Sequence, residues 1–233
     1  MMGTIRENVA ALRTRMNAAA IRAGRDPASV LLCAATKMND AARVREAVAA
    51  GVDCCGENRV QELAEKQPQG AYEGKPVHFI GHLQTNKVNK VVGKVDLIQS
   101  VDREELLVCI DRTAQRLGVR QPILLEINVG AEPQKGGFTP EAAAALAAGM
   151  DRWPGVLLQG LMAIPPVSTG PGANCKYFAK MRQLFIDIGA KKYDNVSMVH
   201  LSMGMSDDFE DAIAEGSTMI RVGTAIFGPR HYT

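Results

Sequence analysis

The sequence predicts an α/β fold: a closed (β/α)8 barrel with one extra helix at the N-terminus. Short apolar runs alternate with helical segments, and eight such runs occur from about Val30 onward. The runs lack regular polar alternation, which is typical of parallel strands buried on both faces. Eight strand–helix units in 233 residues favour a barrel, with a doubly wound sheet as the alternative.

Composition predicts a soluble, cytoplasmic protein. The chain is 46% hydrophobic with a net charge of +2, which gives no electrostatic reason to expect nucleic acid or a membrane as partner. We find neither a run of transmembrane length nor the apolar core of a signal peptide. Five cysteines, two of them adjacent, predict reduced thiols, and no local spacing indicates a metal site. Without a break in composition, we expect one domain spanning residues 1–233.

An amphipathic helix is predicted first, because Thr4 and Glu7 have the spacing of a capping box. One face of this helix gathers its apolar residues, namely Ile5, Val9, Leu12 and Met16. The eight strands are then expected, in order, within the runs SVLLCAATK, VDCCGEN, VHFIGHL, VDLIQSV, PILLEINVG, VLLQGLMAI, NVSMVHLS and TMIRVG.

Capping residues predict where the intervening helices begin and end. Asp102 and Glu105 mark the start of the helix after the fourth strand, and Gly118 marks its end. After the fifth strand, Thr139 is the predicted N-cap and Pro140 the first helical residue. Helical stretches are also expected after the second and third strands.

Polar residues gather at the predicted carboxyl ends of the strands, where active sites form in such barrels. Lys37 ends the first strand, where desolvation lowers the pKa of an amine and favours Schiff-base chemistry. A lysine with its charged end in water is the alternative. The other candidates are Asn58, His78, Met162, His200, Ser202, Ser206, Arg221, Gly223 and Thr224.

The last two crossovers predict a phosphate site. Ser206 is a predicted N-cap of the helix DDFEDAIAEG, and Gly223 with Thr224 opens the final short turn. The backbone N–H groups at two helix starts, together with two hydroxyls, can bind a phosphate dianion. The alternative is that both hydroxyls only cap their helices.

A Schiff-base lysine and a phosphate cradle in one barrel mouth point to pyridoxal 5′-phosphate (PLP) as cofactor. The ring nitrogen of PLP needs a protein partner, and Arg221 is the candidate. An arginine stays charged and donates, which keeps that nitrogen unprotonated and argues against demanding carbanion chemistry. The alternative for Arg221 is an ion pair with an acidic neighbour.

Seven motifs resemble those of the PLP homeostasis proteins of the YggS/PROSC type. They are AATK, GENRVQE, HFIGHLQTNK, LLEINVG, GLMAI, HLSMGMSDDFEDAI and RVGTAIFG, and they run in order from about residue 30 to 228. The resemblance implies the alanine-racemase-like TIM barrel of fold-type III PLP proteins. It implies Lys37 as the Schiff-base lysine and Arg221 as the ring partner.

The same resemblance implies the rest of the site and a function. Ser206, Gly223 and Thr224 would hold the phosphate, and the pocket would be lined by Asn58, His78, Met162, His200 and Ser202. The implied function is PLP binding in vitamin B6 and amino-acid homeostasis, without established catalysis. It further implies a monomer, with PLP-dependent apo-enzymes as clients.

The sequence is compatible with three functions. A PLP carrier without catalysis is favoured, because the sequence ends soon after the last strand and no tyrosine stands at a predicted strand end as a racemase base. The tyrosines are Tyr72, Tyr177, Tyr193 and Tyr232. The alternative is a small PLP-dependent amino-acid racemase that uses His78, His200 or a water as proton carrier. The second alternative is a cofactor-free Schiff-base aldolase, with Arg221 clamping a substrate phosphate.

Overall fold

The computed structural model describes residues 3–229. Within this range eight parallel strands close a barrel in chain order, and the eighth pairs with the first. The strands are β1 Leu31–Ala35, β2 Cys54–Glu57, β3 Val77–Phe79, β4 Leu97–Val101, β5 Gln121–Ile127, β6 Val156–Ala163, β7 Val196–Ser202 and β8 Met219–Val222. Seven of them lie within their predicted apolar runs, and β5 begins one residue before its run. The predicted barrel is therefore confirmed, and the doubly wound alternative is wrong.

Helices surround the barrel. They are α1 Ile5–Arg22, α2 Ala41–Ala49, α3 Val60–Lys66, α4 Glu104–Leu117, α5 Pro140–Ala148, α6 Cys175–Ala190, α7 Phe209–Ala214 and α8 Thr224–Phe227. The extra helix α1 precedes the barrel and packs against α2, α7 and α8. Across the described range, no helix combines the length and the apolar character needed to cross a membrane.

Three predicted helix ends are confirmed. The Thr4 hydroxyl accepts from the Glu7 N–H, and the Glu7 carboxylate accepts from the Thr4 N–H, so the capping box is complete. Thr139 caps α5, with Pro140 as its first residue. Gly118 ends α4 in the left-handed region at φ 65°. These ends depend on chemistry within one turn of the chain.

Two further local predictions are confirmed with changes in detail. The helix marked by Asp102 and Glu105 begins at Glu104, but Arg103 occupies the N-cap position and the Asp102 carboxylate accepts from the Arg103 guanidinium at 2.5 Å. The helical stretch expected after β3 is a 3-10 helix, Thr85–Lys90. It contains β-branched and amide residues of low helix propensity, namely Thr85, Asn86, Val88 and Asn89.

The apolar core has two parts. The larger joins the outer faces of the strands to the helices, and it includes the predicted apolar face of α1. The smaller fills the barrel interior with Cys33, Cys54, Leu97, Leu124, Met162 and Met219. Because buried polar side chains also point into the barrel, the interior is a mixed layer beneath the mouth.

Candidate functional site

A cavity of about 590 Å³ opens at the carboxyl ends of β1 and β8. Lys37 lies half-buried in the turn after β1 and lines this cavity, as do Gly223 and Thr224 at the start of α8. Residues of α1 and α2 form the other walls. The volume is that of an ordinary small-molecule site. The structure therefore brings the predicted lysine and two predicted phosphate residues to one space.

The hydroxyls of the last two crossovers meet at this mouth. Ser206 Oγ lies 3.2 Å from Thr224 Oγ1. The prediction that Ser206 is an N-cap is wrong, because Asp208 holds that position and its carboxylate accepts from the Met205 N–H at 2.8 Å. Ser206 instead lies in the turn before α7. Thr224 begins α8, and the first N–H groups of a helix have no partner within it.

Arg221 begins a chain of hydrogen bonds across the barrel interior. Its guanidinium donates to Ser202 Oγ at 2.6 Å and to the Ala163 carbonyl oxygen at 2.8 Å. The Ser202 hydroxyl donates to Gln99 Oε1 at 2.7 Å, and Gln99 Nε2 lies 2.9 Å from His78 Nδ1. Three predicted residues, on β8, β7 and β3, are thus joined through one that sequence reasoning missed. The only signal for Gln99 is a lone amide within the apolar run VDLIQSV.

Charged groups in this interior influence one another's pKa. Burial lowers the pKa of Arg221, while negative charge on Cys33, Glu126 and Asp208 acts in the opposite direction. Burial raises the pKa of Glu126. Met162 is fully buried in the interior apolar cluster. The predicted alternative for Arg221, a direct ion pair, is not among the ion pairs found between described residues.

The position of His200 on β7 depends on a glycine of the neighbouring strand. A Cβ added at Gly160, where φ is +148°, would lie 1.8 Å from the His200 carbonyl oxygen. The close approach of β6 to β7 therefore requires glycine there. Burial, with a smaller contribution from the charge of His78, lowers the pKa of His200 to about 4. The imidazole is neutral at pH 7.

We expect His200 to make the fold less stable in acid. Its folded pKa of about 4 lies below the ordinary 6.5, so the unfolded chain takes up the proton first as the pH falls. The stability is complete above pH 6.5 and is lost between pH 6.5 and 4. Since the ring is partly exposed, the loss is about 1–2 kcal/mol. Urea unfolding across this range measures it, and His200→Gln should remove that part of the pH dependence. Identical profiles for both proteins would contradict the assignment.

Asn58 follows β2 and carries an unsatisfied acceptor. Its Oδ1 is buried without a hydrogen-bond partner, and its backbone packs closely on the end of β3. A Cβ added at Gly81 would lie 2.2 Å from the Asn58 carbonyl oxygen. Buried acceptors without a donor are costly and rare. A ligand that donates a hydrogen bond would satisfy this one.

A buried ion network stands beside the mouth, and sequence reasoning missed it. Lys66 Nζ lies 2.9 Å from Glu57 Oε1 and 2.9 Å from Glu62 Oε2. The Tyr72 hydroxyl donates to Glu57 Oε1 at 3.1 Å. Burial raises the pKa of Glu57, and Lys66 opposes that rise. The i,i+4 spacing of Glu62 and Lys66 is visible in the sequence, but their burial is not.

This network holds the backbone on both sides of Lys37. Lys66 Nζ donates to the Thr36 carbonyl oxygen at 2.9 Å, and the Thr36 hydroxyl donates to Glu57 at 2.6 Å. The Met38 N–H donates to Glu62 Oε2 at 2.8 Å, with Met38 in the left-handed region at φ 60°. The turn that presents Lys37 is therefore fixed by charged groups that do not line the cavity.

The tyrosines do not line this cavity within the described residues. Tyr72 is buried in the network beside Glu57. Tyr177 lies on α6, and Tyr193 lies between α6 and β7. Tyr232 lies outside the described residues.

Comparisons with known proteins agree over the whole length. The family model described as alanine racemase, N-terminal domain, matches residues 2–231. A pyridoxal phosphate homeostasis protein of Pseudomonas aeruginosa is 42% identical over 238 residues, which covers 99% of this chain and 98% of that protein. A protein of the same name from Aquifex aeolicus is 42% identical over 226 residues, covering 97% and 98%.

Solved structures show the same likeness. PipY of Synechococcus elongatus, with PLP bound, superposes with a TM-score of 0.82 at 36% identity, covering 97% of this chain and 100% of PipY. An alanine racemase of Clostridium difficile superposes with a TM-score of 0.65 at 16% identity, covering 97% of this chain and 57% of the racemase. The latter shows a shared fold.

Proposed function

The chain belongs to the family of pyridoxal phosphate homeostasis proteins, and we propose that it binds PLP through Lys37 and contributes to PLP homeostasis without catalysis. One observation carries the assignment of the site: Lys37, Gly223 and Thr224 line the same cavity. PipY, 36% identical, has been solved with PLP bound, which supports the choice of ligand.

The residues present fit PLP. When bound, PLP supplies an aldehyde that condenses with a lysine amine and a ring that withdraws electrons. Lys37 offers the amine. The hydroxyls of Ser206 and Thr224, 3.2 Å apart, and the N–H groups that begin α8 are donors for a phosphate dianion. The unsatisfied oxygen of Asn58 adds an acceptor for a ligand hydroxyl.

Arg221 is our proposed partner for the ring nitrogen. A guanidinium has five N–H donors and no acceptor, so it holds a nitrogen that stays unprotonated. Its bonds to Ser202 and to the Ala163 carbonyl fix its orientation. This arrangement weakens proton abstraction from a bound amino acid, which favours holding PLP over transforming it. The remaining predicted residues, His78, Met162 and His200, do not line the cavity, and His78 and Met162 are buried in the barrel interior beneath it.

A PLP-dependent racemase is the alternative, and it needs a group that moves protons at the mouth. The Tyr72 hydroxyl donates to Glu57, so the residues to test are His78 and the neutral His200. Chiral analysis of alanine after long incubation with PLP-loaded protein measures this activity. We expect no turnover above that of Lys37→Ala, and clear turnover would refute the non-catalytic role.

Transfer of PLP from the loaded protein to an apo-enzyme tests the proposed delivery of PLP to client enzymes. Analytical ultracentrifugation tests the predicted monomer.

Removal of both cradle hydroxyls should weaken PLP binding. In Ser206→Ala/Thr224→Val, each lost bond to a charged phosphate costs about 1.5–3 kcal/mol, so the dissociation constant should rise at least about tenfold per hydroxyl. Absorbance titration of the PLP-free protein measures this constant. Ser197→Ala, an exposed change on β7, is the matched control and should leave it unchanged. An unaltered constant in the double variant would place the phosphate elsewhere.

A further inference from the structure

Three metal-binding side chains converge inside the barrel. Cys33, Cys54 and His78 come from the neighbouring strands β1, β2 and β3, and their ligand atoms all lie within 4.8 Å of one another. Cys33 stands directly opposite Cys54 in the strand register, and His78 stands opposite Gly56. The three residues are 0%, 2% and 6% exposed. Within residues 3–229, this is the one cluster of its kind.

We propose that Cys33, Cys54 and His78 form a zinc site in the barrel interior. Two thiolates and one imidazole are ligands that zinc takes in proteins, with the fourth position left to a water or another small ligand. Tetrahedral zinc sites place such ligand atoms about 3.6–3.8 Å apart. The three ligand atoms therefore need to approach one another by at most about 1 Å to bind zinc.

The ligand set is neutral when it is loaded. Two thiolates, one neutral imidazole and one divalent cation together carry no net charge, and any thiol proton that zinc displaces passes to solvent. A net charge on the ligand set would be costly beside Leu97, Leu124 and Met219. Arg221, which is buried and opposite Cys33 in the strand register, remains as a separate cation next to the set.

Gln99 provides the outer partner that a ligating histidine needs. His78 Nδ1 faces the Gln99 amide at 2.9 Å, which leaves Nε2 as the nitrogen for the metal. Coordination through Nε2 puts the imidazole proton on Nδ1. Rotating the Gln99 amide by half a turn would present its oxygen to that proton and its Nε2–H to Ser202 Oγ, which would then accept in place of donating. A hydrogen-bond acceptor on Nδ1–H orients histidine ligands in zinc proteins. The sequence showed no metal motif because the ligands lie on three separate strands.

Cys55 offers a matched control. It follows Cys54 directly, but its side chain belongs to the outer apolar cluster between strands and helices. Cys55 is as buried as Cys54. If both cysteines only pack in the core, substituting either one should have the same effect on zinc affinity. A role in zinc binding separates them.

The test uses untagged protein in which Cys109→Ser and Cys175→Ser remove the two thiols outside the fully buried set. This background is reduced, stripped of metal with a chelator, freed of PLP and titrated with zinc chloride. Native mass spectrometry gives the stoichiometry, and competition with a chromophoric chelator gives the affinity. We expect one zinc per chain. Adding Cys33→Ala or Cys54→Ala should weaken binding at least about 100-fold, while Cys55→Ala should not.

Two outcomes would overturn the proposal. One is an affinity for zinc that is the same with and without Cys33 and Cys54. The other is a cadmium NMR signal from the background protein that indicates oxygen ligands in place of two sulfurs and a nitrogen. The NMR measurement needs no change at the site, so it stands even if the alanine variants fail to fold. PLP loading through Lys37, followed by absorbance, is a separate readout and distinguishes failure of this site from failure of the proposed function.

Discussion

Lys66→Met is expected to lower the free energy of unfolding by about 3–5 kcal/mol, because it leaves a buried carboxylate without its counter-charge. Lys66 has 6% side-chain exposure, and its partner Glu57 has 0%. The change also removes the donor to the Thr36 carbonyl. Urea denaturation followed by circular dichroism measures the loss.

Lys90→Met is the matched control, since Lys90 is exposed and such changes stay within about 0.5 kcal/mol. Adding Glu57→Gln to Lys66→Met should recover part of the loss, because the uncompensated charge is then gone. A loss below about 1 kcal/mol in Lys66→Met would mean that the network does not hold this end of the barrel. Because the network anchors Thr36 and Met38, the variant should also take up PLP more slowly at temperatures where it remains folded.

Lys37→Ala is expected to abolish covalent attachment of PLP. No other lysine lines the cavity among the described residues, so no second amine is available there. The visible absorbance of lysine-bound PLP should be absent. Borohydride reduction followed by peptide mass mapping should label Lys37 in the unchanged protein and nothing in the variant. The cradle and Arg221 should still retain PLP reversibly.

Lys135→Ala is the control for this experiment, because Lys135 is a loop lysine paired with Glu132 and does not line the cavity. After borohydride reduction, Lys135→Ala should carry PLP on Lys37 to the same extent as the unchanged protein. Labelling of another lysine in Lys37→Ala, at the level of the unchanged protein, would remove the basis of the proposed site. Complete absence of labelling in the unchanged protein with PLP present would favour the cofactor-free aldolase.

Local chemistry explains which sequence predictions are confirmed. The strands follow from apolar runs, and the caps at Thr4 and Thr139 follow from hydrogen bonds within one helical turn. Where two local partners compete, the sequence is ambiguous. Asp102 and Ser206 both have the chemistry of an N-cap, yet Arg103 and Asp208 take those positions.

The sequence predicted part of the candidate site, since strand ends share one edge of a barrel: Lys37, Gly223 and Thr224 line the cavity, and the other seven predicted residues do not. Ser206 meets Thr224, and Ser202 meets Arg221, as convergence at the mouth predicts. The partners that join them were not visible. The hydrogen bond between Gln99 and Ser202 joins residues 103 positions apart in the sequence, and the one between Lys66 and Thr36 joins residues 30 positions apart.

By itself the sequence determined the barrel and the family, because alternating apolar and helical segments and seven ordered motifs are properties of neighbouring residues. Only the tertiary structure decided what faces what: the ion network that holds Lys37, the hydrogen-bond chain from Arg221 to His78, and the opposition of Cys33 to Cys54. The physical reason is strand register. A shift of one residue turns every side chain to the other face, and that alignment is settled by packing of the whole barrel.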